Sequence, residues 1–449
     1  MSHVIALGSS ATEATQESNR DFFKLFLFSL VVVSIPVKNF AYVLPPLYVL
    51  AQLLWFDTAA AVRTVLFMAT VVTISCTSLF VDAIRGQETN LPGVILGIVT
   101  FMPLFIMISA RPSMQVDDTL FRRISRCVAW YVIFQTIIGT IQFAASGDPD
   151  AVSGTLGLFD LVSGSITITQ MYFGFLMISM VLFLMLDWST WLAKTGIVAG
   201  LVVTALSQSG HQSFFFAGAL GLFAVLQSRR VGLMLGTGCV LSALVALVLY
   251  FYPTTLTSAE SWYDKTINSP DSPKRLSVDG ARPILSDPKN LILGTGIGQY
   301  SSRAALVSSG EFLSVSLPSV VVGQSLYFRR YLTPGLASFE ERGEGSAISK
   351  PYFTWLSVVV EFGLVQSVAI AAVVCLTLKR CFRWMYQPCP EVARAGMLVG
   401  VAVTFFLLCC MVENYAEFPQ AVFIPYLLFV VGSSWAQQTL ALTQPPPSE

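Results

Sequence analysis

The stretch Arg282-Pro-Ile-Leu-Ser-Asp-Pro-Lys-Asn-Leu-Ile-Leu-Gly294-Thr-Gly296-Ile-Gly298-Gln-Tyr300 carries the most chemical information in the chain. Glycines at alternate positions permit positive φ and close backbone approach. Successive N–H groups in such a bend can cradle an anion. Arg282 adds a planar, permanently charged fork that suits a phosphate. The same residues also fit a tight turn beside a solvated arginine.

A second set of residues could move protons. His211 lies in Leu206-Ser-Gln-Ser-Gly-His-Gln-Ser213, a short turn between two apolar runs. Imidazole is a natural general base, and it could equally stabilise the turn by hydrogen bonding. Lys350 and Tyr352 open a long apolar run, with Trp355 and then Glu361 further along it. An ionisable residue inside such a run is costly and points to function; pairing with a helix dipole or an arginine is the other reading. Glu413 and Glu417 sit in a polar break, Val412 to Phe418. They could take a proton from a hydroxyl, or be solvated loop acids. Asp148, Asp150 and Asp160 offer the same choice in another break.

Lipid must be the solvent for the elements that position these residues. Of the 449 residues 54% are hydrophobic and 12% charged, against about 25% charged in soluble domains. The 26 basic and 26 acidic residues balance, and no nucleic-acid partner is expected. Two histidines exclude a His-rich metal site, and none of the eight cysteines lies between residues 253 and 352. A disulfide framework is thereby excluded there, and no metal is expected. The polar start, Met1 to Arg20, lacks a signal-peptide plan. The apolar run after Asp21 has no small-residue cleavage site, so a retained anchor is expected.

A spanning helix needs about 20 mostly apolar residues. The expected spans are 22–36, 40–56, 64–84, 92–110, 126–145, 166–187, 190–207, 212–228, 231–252, 353–378, 394–411 and 419–438. Pro36, Pro45 and Pro46 interrupt the first two, which could form one hairpin. With the N-terminus inside, the cytoplasmic turns collect most Lys and Arg, including Arg111, Arg122, Arg123 and Arg126; the short outer turns hold only Lys38 and Arg85. That asymmetry fixes orientation. The expected plan is a cytoplasmic tail (1–21), nine spans (22–252), a large outer loop (253–352), three spans (353–438) and a cytoplasmic tail (439–449).

The loop is Ser-, Pro- and Gly-rich and holds ten of the 26 basic residues, Arg275, Arg282, Arg303 and Lys350 among them. Within it, a short helix is expected from 258–266, a helical turn running into a Gly-rich bend over 282–285 and 290–300, a second amphipathic helix at 319–331, and a polar turn at 340–345.

At these residues the sequence resembles the O-antigen polymerase and O-antigen ligase superfamily of bacterial envelope glycan enzymes. Ser207-Gln-Ser209-Gly-His-Gln is similar to that family's Ser-Arg-Gly turn between two spans. Arg282 leading to Leu293-Gly-Thr-Gly-Ile-Gly-Gln-Tyr300 is similar to its loop arginine and Gly-x-Gly segment. Tyr352-Phe-Thr-Trp-Leu356 through Glu361-Phe-Gly363-Leu is similar to its His-Asn-x-Tyr-Leu through Glu-x-Gly-Leu. The likeness covers roughly residues 200 to 430, and the N-terminal half in topology only. Tyr352 stands where ligases have a histidine, and Gly210 or His211 where they have an arginine.

The resemblance implies an all-α polytopic membrane glycosyltransferase, GT-C-like, with about twelve spans and a partly helical periplasmic loop between the ninth and tenth. It implies a polymerase of polyprenyl-diphosphate-linked repeat units in a bacterial inner membrane, with a ligase as the alternative. Arg282, Arg275, Arg303 and Lys350, with Gly294, Gly296 and Gly298, would hold the diphosphate. His211, Tyr352, Glu413 and Glu417 would be the catalytic candidates. The implied partners are the lipid-linked glycan and membrane lipids, with a chain-length regulator protein as one the family allows. No cofactor is implied, and a metal-independent reaction is expected. A transporter or flippase is the reading from another class. It should show paired halves and broken mid-membrane helices, whereas one outer loop concentrates the charge here.

Overall fold

The computed structural model describes residues 20–32, 34–35, 43–56, 58–109, 116, 118–158, 190–207, 210–227, 272–311, 322–343 and 352–443. Every regular element among them is helical. Helix α1 covers residues 20–32. Helix α2, Leu44–Ala51, runs into a π-helical turn, Gln52–Phe56. Then come α3 (Thr58–Ile84), α4 (Leu91–Ser109) and α5 (Asp118–Ser146). A tight turn separates α6 (Trp191–Ser207) from α7 (Gly210–Gln227). The large loop contributes α8 (Pro273–Leu285), α9 (Pro288–Leu293), α10 (Arg303–Ser309), α11 (Leu326–Tyr331) and α12 (Thr333–Glu341). The chain ends on α13 (Thr354–Met385), α14 (Pro390–Cys409) and α15 (Pro419–Thr443).

Five helices among the described residues are long and apolar enough to cross a membrane: Thr58–Ile84, Leu91–Ser109, Thr119–Ser146, Thr354–Met385 and Pro390–Cys409. The chain is a multi-pass membrane protein. Its spans carry large apolar side chains outward, such as Leu66, Phe80, Ile95, Phe134 and Leu376. In lipid that surface carries no penalty, and helices associate instead through close packing. The expected spans 166–187 and 231–252 lie outside the described residues.

Helix α14 is the most enclosed of the five. Phe223 of α7 stacks on Phe382 of α13 at 5.4 Å, and Gly400 of α14 makes room for the Phe223 ring. Phe101 of α4 meets Phe362 of α13 edge-on at 5.0 Å.

The described part of the loop has its own core, in which Ile284, Tyr300, Leu306, Phe328, Leu336 and Phe339 pack together. Its helices begin where the sequence supplies caps. Ser272, Asp287, Ser302 and Ser325 each accept a backbone N–H from the first turn they precede. Such caps contribute about 1 kcal/mol each. The loop is more helical than the sequence reading expects. Pro273–Leu285 extends well before residue 282, and Arg303–Ser309 and Thr333–Glu341 are further helices. As expected, the helical turn at 290 gives way to a glycine bend: the helix stops at Leu293, and Gly294, Gly296 and Gly298 all take positive φ. Residues 258–266 lie outside the described residues.

Ion pairs and hydrogen bonds fasten this unit to the ends of α3 and α4. Lys289 Nζ lies 2.6 Å from Asp82 in a pair that is almost fully buried. The Tyr327 hydroxyl reaches Asp82 at 3.2 Å and Gln87 at 2.9 Å. Arg85 meets Asp287 at 2.6 Å and Arg329 meets Glu88 at 2.8 Å. Asn90 and Gln299 exchange two bonds, through the Asn90 N–H to Gln299 Oε1 at 2.9 Å and Gln299 Nε2 to the Asn90 carbonyl at 2.8 Å.

Candidate functional site

The segment 294–302 is buried throughout. It enters between α3, α4 and α13, a position open to irregular backbone only when protein surrounds it. Its shape depends on two close approaches. At Gly294 (φ 78°) an added Cβ would lie 2.2 Å from the Glu361 carbonyl oxygen. At Gly298 (φ 74°) it would lie 1.9 Å from the Gly93 carbonyl oxygen. Ile297, fully buried, lies over Gly97 one turn further along α4. The Ser78 hydroxyl of α3 donates to the Gly294 carbonyl at 2.6 Å.

The bend is an anion cradle, and the anion comes from the chain itself. Glu361 accepts the Gly298 N–H at 2.7 Å on Oε2, and the Tyr300 and Ser302 N–H groups at 3.0 and 2.9 Å on Oε1. Gly294 N–H goes to the Asn290 carbonyl and Gly296 N–H to the Glu361 carbonyl, at 2.9 and 3.0 Å. The three glycines expected to hold a diphosphate thus spend their donors internally. Their role is to fold the bend around Glu361, whose expense at this depth is met by three N–H donors rather than by an arginine.

A second buried carboxylate follows directly. Glu417, in the short turn Tyr415–Glu417, accepts the Arg303 N–H at 2.8 Å and the Ala304 N–H at 3.4 Å, both on Oε2. Burial pushes its carboxyl up to about 8; the charge of Glu361 adds to this, while the Arg303 and Ala304 N–H groups and the Arg303 guanidinium oppose it. The Arg303 guanidinium lies 4.7 Å from the Phe418 ring centroid. Tyr352 is buried, and its phenol is held well above its usual range, by burial first and then by Tyr300 and Glu417. Glu417 Oε1, the Tyr352 hydroxyl and Arg303 Nε have no hydrogen-bond partner among the described residues.

Lys274 of α8 closes one side. Its Nζ donates to the Tyr352 carbonyl at 2.7 Å, lies 3.7 Å from Glu413 and sits over the Phe353 ring. On the other side, Gln212 of α7 donates to the Tyr415 hydroxyl at 3.1 Å. Beneath, Ser357 donates to the Ser301 carbonyl at 2.6 Å, and Asn414 donates to the same carbonyl at 3.3 Å. Four segments far apart in sequence therefore converge at one end of the bundle.

No family model matches the sequence, and no curated protein does either. The site is therefore read from its own residues. Tyr352, Glu413, Glu417 and Arg303 are brought together. His211 is in the first turn of α7, one residue before Gln212. Arg275 and Arg282 are elsewhere, on the exposed face of α8, where both flank Asp279 at 3.3 and 3.5 Å. Lys350 and Asp160 lie outside the described residues, and Asp148 and Asp150 belong to the turn after α5. Lys274 is the residue that sequence reasoning missed. Its trace was Ser272-Pro-Lys274, a helix start that places a cation in the first turn.

Proposed function

We propose that the chain polymerises lipid-linked oligosaccharide repeat units of an O-antigen, capsule or exopolysaccharide at the periplasmic face of a bacterial inner membrane. In this reading it is a GT-C-like glycosyltransferase of about twelve spans. The growing glycan hangs from a polyprenyl diphosphate in the outer leaflet. A hydroxyl at the non-reducing end of an incoming unit attacks the anomeric carbon. The new carbon–oxygen bond forms as the bond to the phosphate oxygen breaks. The diphosphate leaves with the electron pair, and the hydroxyl proton passes to a base or to water. Cations lower the barrier by stabilising charge that develops on the leaving phosphate. We assign that task to Arg282, with Arg275, and we assign no metal to the reaction.

The observation that carries the reading is the convergence of segment 294–304, Tyr352 and the Glu413–Glu417 turn at one end of a membrane bundle. Helix α8 reaches this site through Lys274 and carries exposed cations on its other face, where the Arg282 side chain is 77% exposed. The next turn brings Asp287 to Arg85, at the end of span α3. This link to the end of a span supports a role for Arg282 near the lipid boundary, where a lipid diphosphate would present its charge.

Glycan analysis of a strain lacking the chain tests this. Single repeat units left on lipid support a polymerase. Unattached polymer points to a ligase, and intermediates retained on the cytoplasmic face point to a flippase; either outcome replaces the proposal.

A further inference from the structure

Two fully buried carboxylates flank the run 298–304, and they are used differently. Glu361 spends both oxygens on three N–H groups. Glu417 spends only Oε2, and its Oε1 is unpaired among the described residues, as are the Tyr352 hydroxyl and Arg303 Nε. The three groups share one neighbourhood. The Arg303 N–H binds Glu417, and both charges act on the Tyr352 phenol. Around them Ser301, Ser302, Ser357 and Asn414 are paired. Leaving a buried polar group unpaired costs about 1–3 kcal/mol, so these three, unpaired among the described residues, would be stabilised by an occupant once the site opens to admit one.

The donors and acceptors define that occupant. The Glu417 oxygen accepts, Arg303 Nε–H donates, and the phenol does either. A pair of neighbouring hydroxyls offers a donor and an acceptor at each oxygen and answers all three. A phosphate would bring its charge beside two buried carboxyl groups, Glu417 and Glu361, with Arg303 as the one cation among the three. The ion pair of Lys274 with Glu413 keeps the neighbouring charges balanced. Burial and Glu361 hold the Glu417 carboxyl up to about 8, so near neutral pH it is mostly protonated and can donate as well as accept.

We propose that Glu417, Tyr352 and Arg303 form a hydroxyl-binding subsite for a sugar ring, the one at the acceptor end of the incoming repeat unit. This rests on the polymerase reading and adds to it a place for the acceptor. The diphosphate site and the acceptor site are then separate: exposed arginines on α8 for the charge, and an enclosed trio with a single cation, Arg303, for the hydroxyls.

A lipid-permeable carbodiimide tests the subsite on the full chain in nanodiscs. It modifies protonated carboxyl groups and spares carboxylates, and peptide mass spectrometry locates the adduct. Glu417 should be modified at neutral pH, and less so as pH rises past about 8. Polyprenyl-diphosphate-linked repeat units at ten times their Kd should suppress the adduct about tenfold. Polyprenyl diphosphate without sugar should not. Tyr352→Phe removes an unpaired hydroxyl from an apolar interior, so the chain should fold at least as well. The repeat-unit concentration for half protection should nevertheless rise about tenfold, the value of one lost hydrogen bond. Three results each overturn the subsite: no adduct on Glu417, equal protection by the sugar-free lipid, or unchanged half protection in Tyr352→Phe. The polymerase reading fails separately, if the strain lacking the chain makes normal polymer.

Discussion

Glu361 accepts the N–H of Gly298 at 2.7 Å, across 63 residues of sequence. With the Tyr300 and Ser302 N–H groups it fixes the loop backbone inside the spans. Glu361→Gln keeps the shape and replaces one acceptor oxygen with an NH2 group. At least one of the three amides then faces a donor. The expected loss is about 1–3 kcal/mol, the cost of one unsatisfied buried group. Thermal unfolding in nanodiscs measures it. Hydrogen exchange should show the amides of residues 298–302 losing protection while the spans keep theirs.

Gly298→Ala meets two obstacles at once. The backbone there has φ 74°, and the new Cβ would lie 1.9 Å from the Gly93 carbonyl oxygen. The left-handed conformation alone costs a non-glycine residue about 1–2 kcal/mol, and the clash is with rigid backbone. The loop should undock from α4. Limited proteolysis should cut the variant within 286–311, where the parent chain resists.

The Lys289–Asp82 pair is nearly fully buried at 2.6 Å and ties α9 to α3. Removing one partner leaves an uncompensated charge, so Asp82→Leu or Lys289→Met should each cost about 3–5 kcal/mol. The double variant Asp82→Leu with Lys289→Met should recover most of that, because two buried charges have been replaced by apolar groups. A double-mutant cycle on thermal unfolding checks the non-additivity.

Glu417 makes stability depend on pH. Its carboxyl is raised from 4.5 to about 8 by burial and by Glu361. Between those values the folded chain binds more protons than the unfolded one. Stability from this group is therefore complete at the acid end and is lost as pH rises through about 8, following the linkage relation. Unfolding temperatures measured across this range should fall towards alkaline pH. Glu417→Gln, which cannot ionise, should flatten the curve.

Much of the architecture was legible because lipid imposes a simple rule of length and apolarity. The runs at 64–84 and 92–110 appear as Thr58–Ile84 and Leu91–Ser109. The positions of Gly294, Gly296, Gly298, Tyr352, Glu361 and Glu417 marked the site because each residue type is costly or unusual where it stands. Their pairing was not legible. The anion of the glycine bend was expected from a ligand and comes instead from Glu361, and nothing local in sequence links residues 298 and 361. One trace existed: Gly93 and Gly97, four apart on an apolar helix, mark a surface made for close approach, and Ile297 fills it. The first turns of α8, and all of α10 and α12, escaped because these helices are only 7 to 13 residues long and show few amphipathic repeats.

Arg282 separates the stability of the loop from its chemistry. Its side chain is 77% exposed, and its guanidinium is 3.5 Å from Asp279 on the same helix. Such a surface pair contributes about 0–1 kcal/mol, so Arg282→Ala should leave protein level and unfolding temperature unchanged. If Arg282 holds the leaving diphosphate, the same substitution should abolish long-chain polymer and leave single repeat units intact. Arg282→Lys keeps the charge and loses the planar fork, and should restore only part of the polymer. Gel analysis of surface glycan from the three strains, at matched protein level, gives the comparison. Normal chain length in Arg282→Ala would remove the α8 cations from the mechanism.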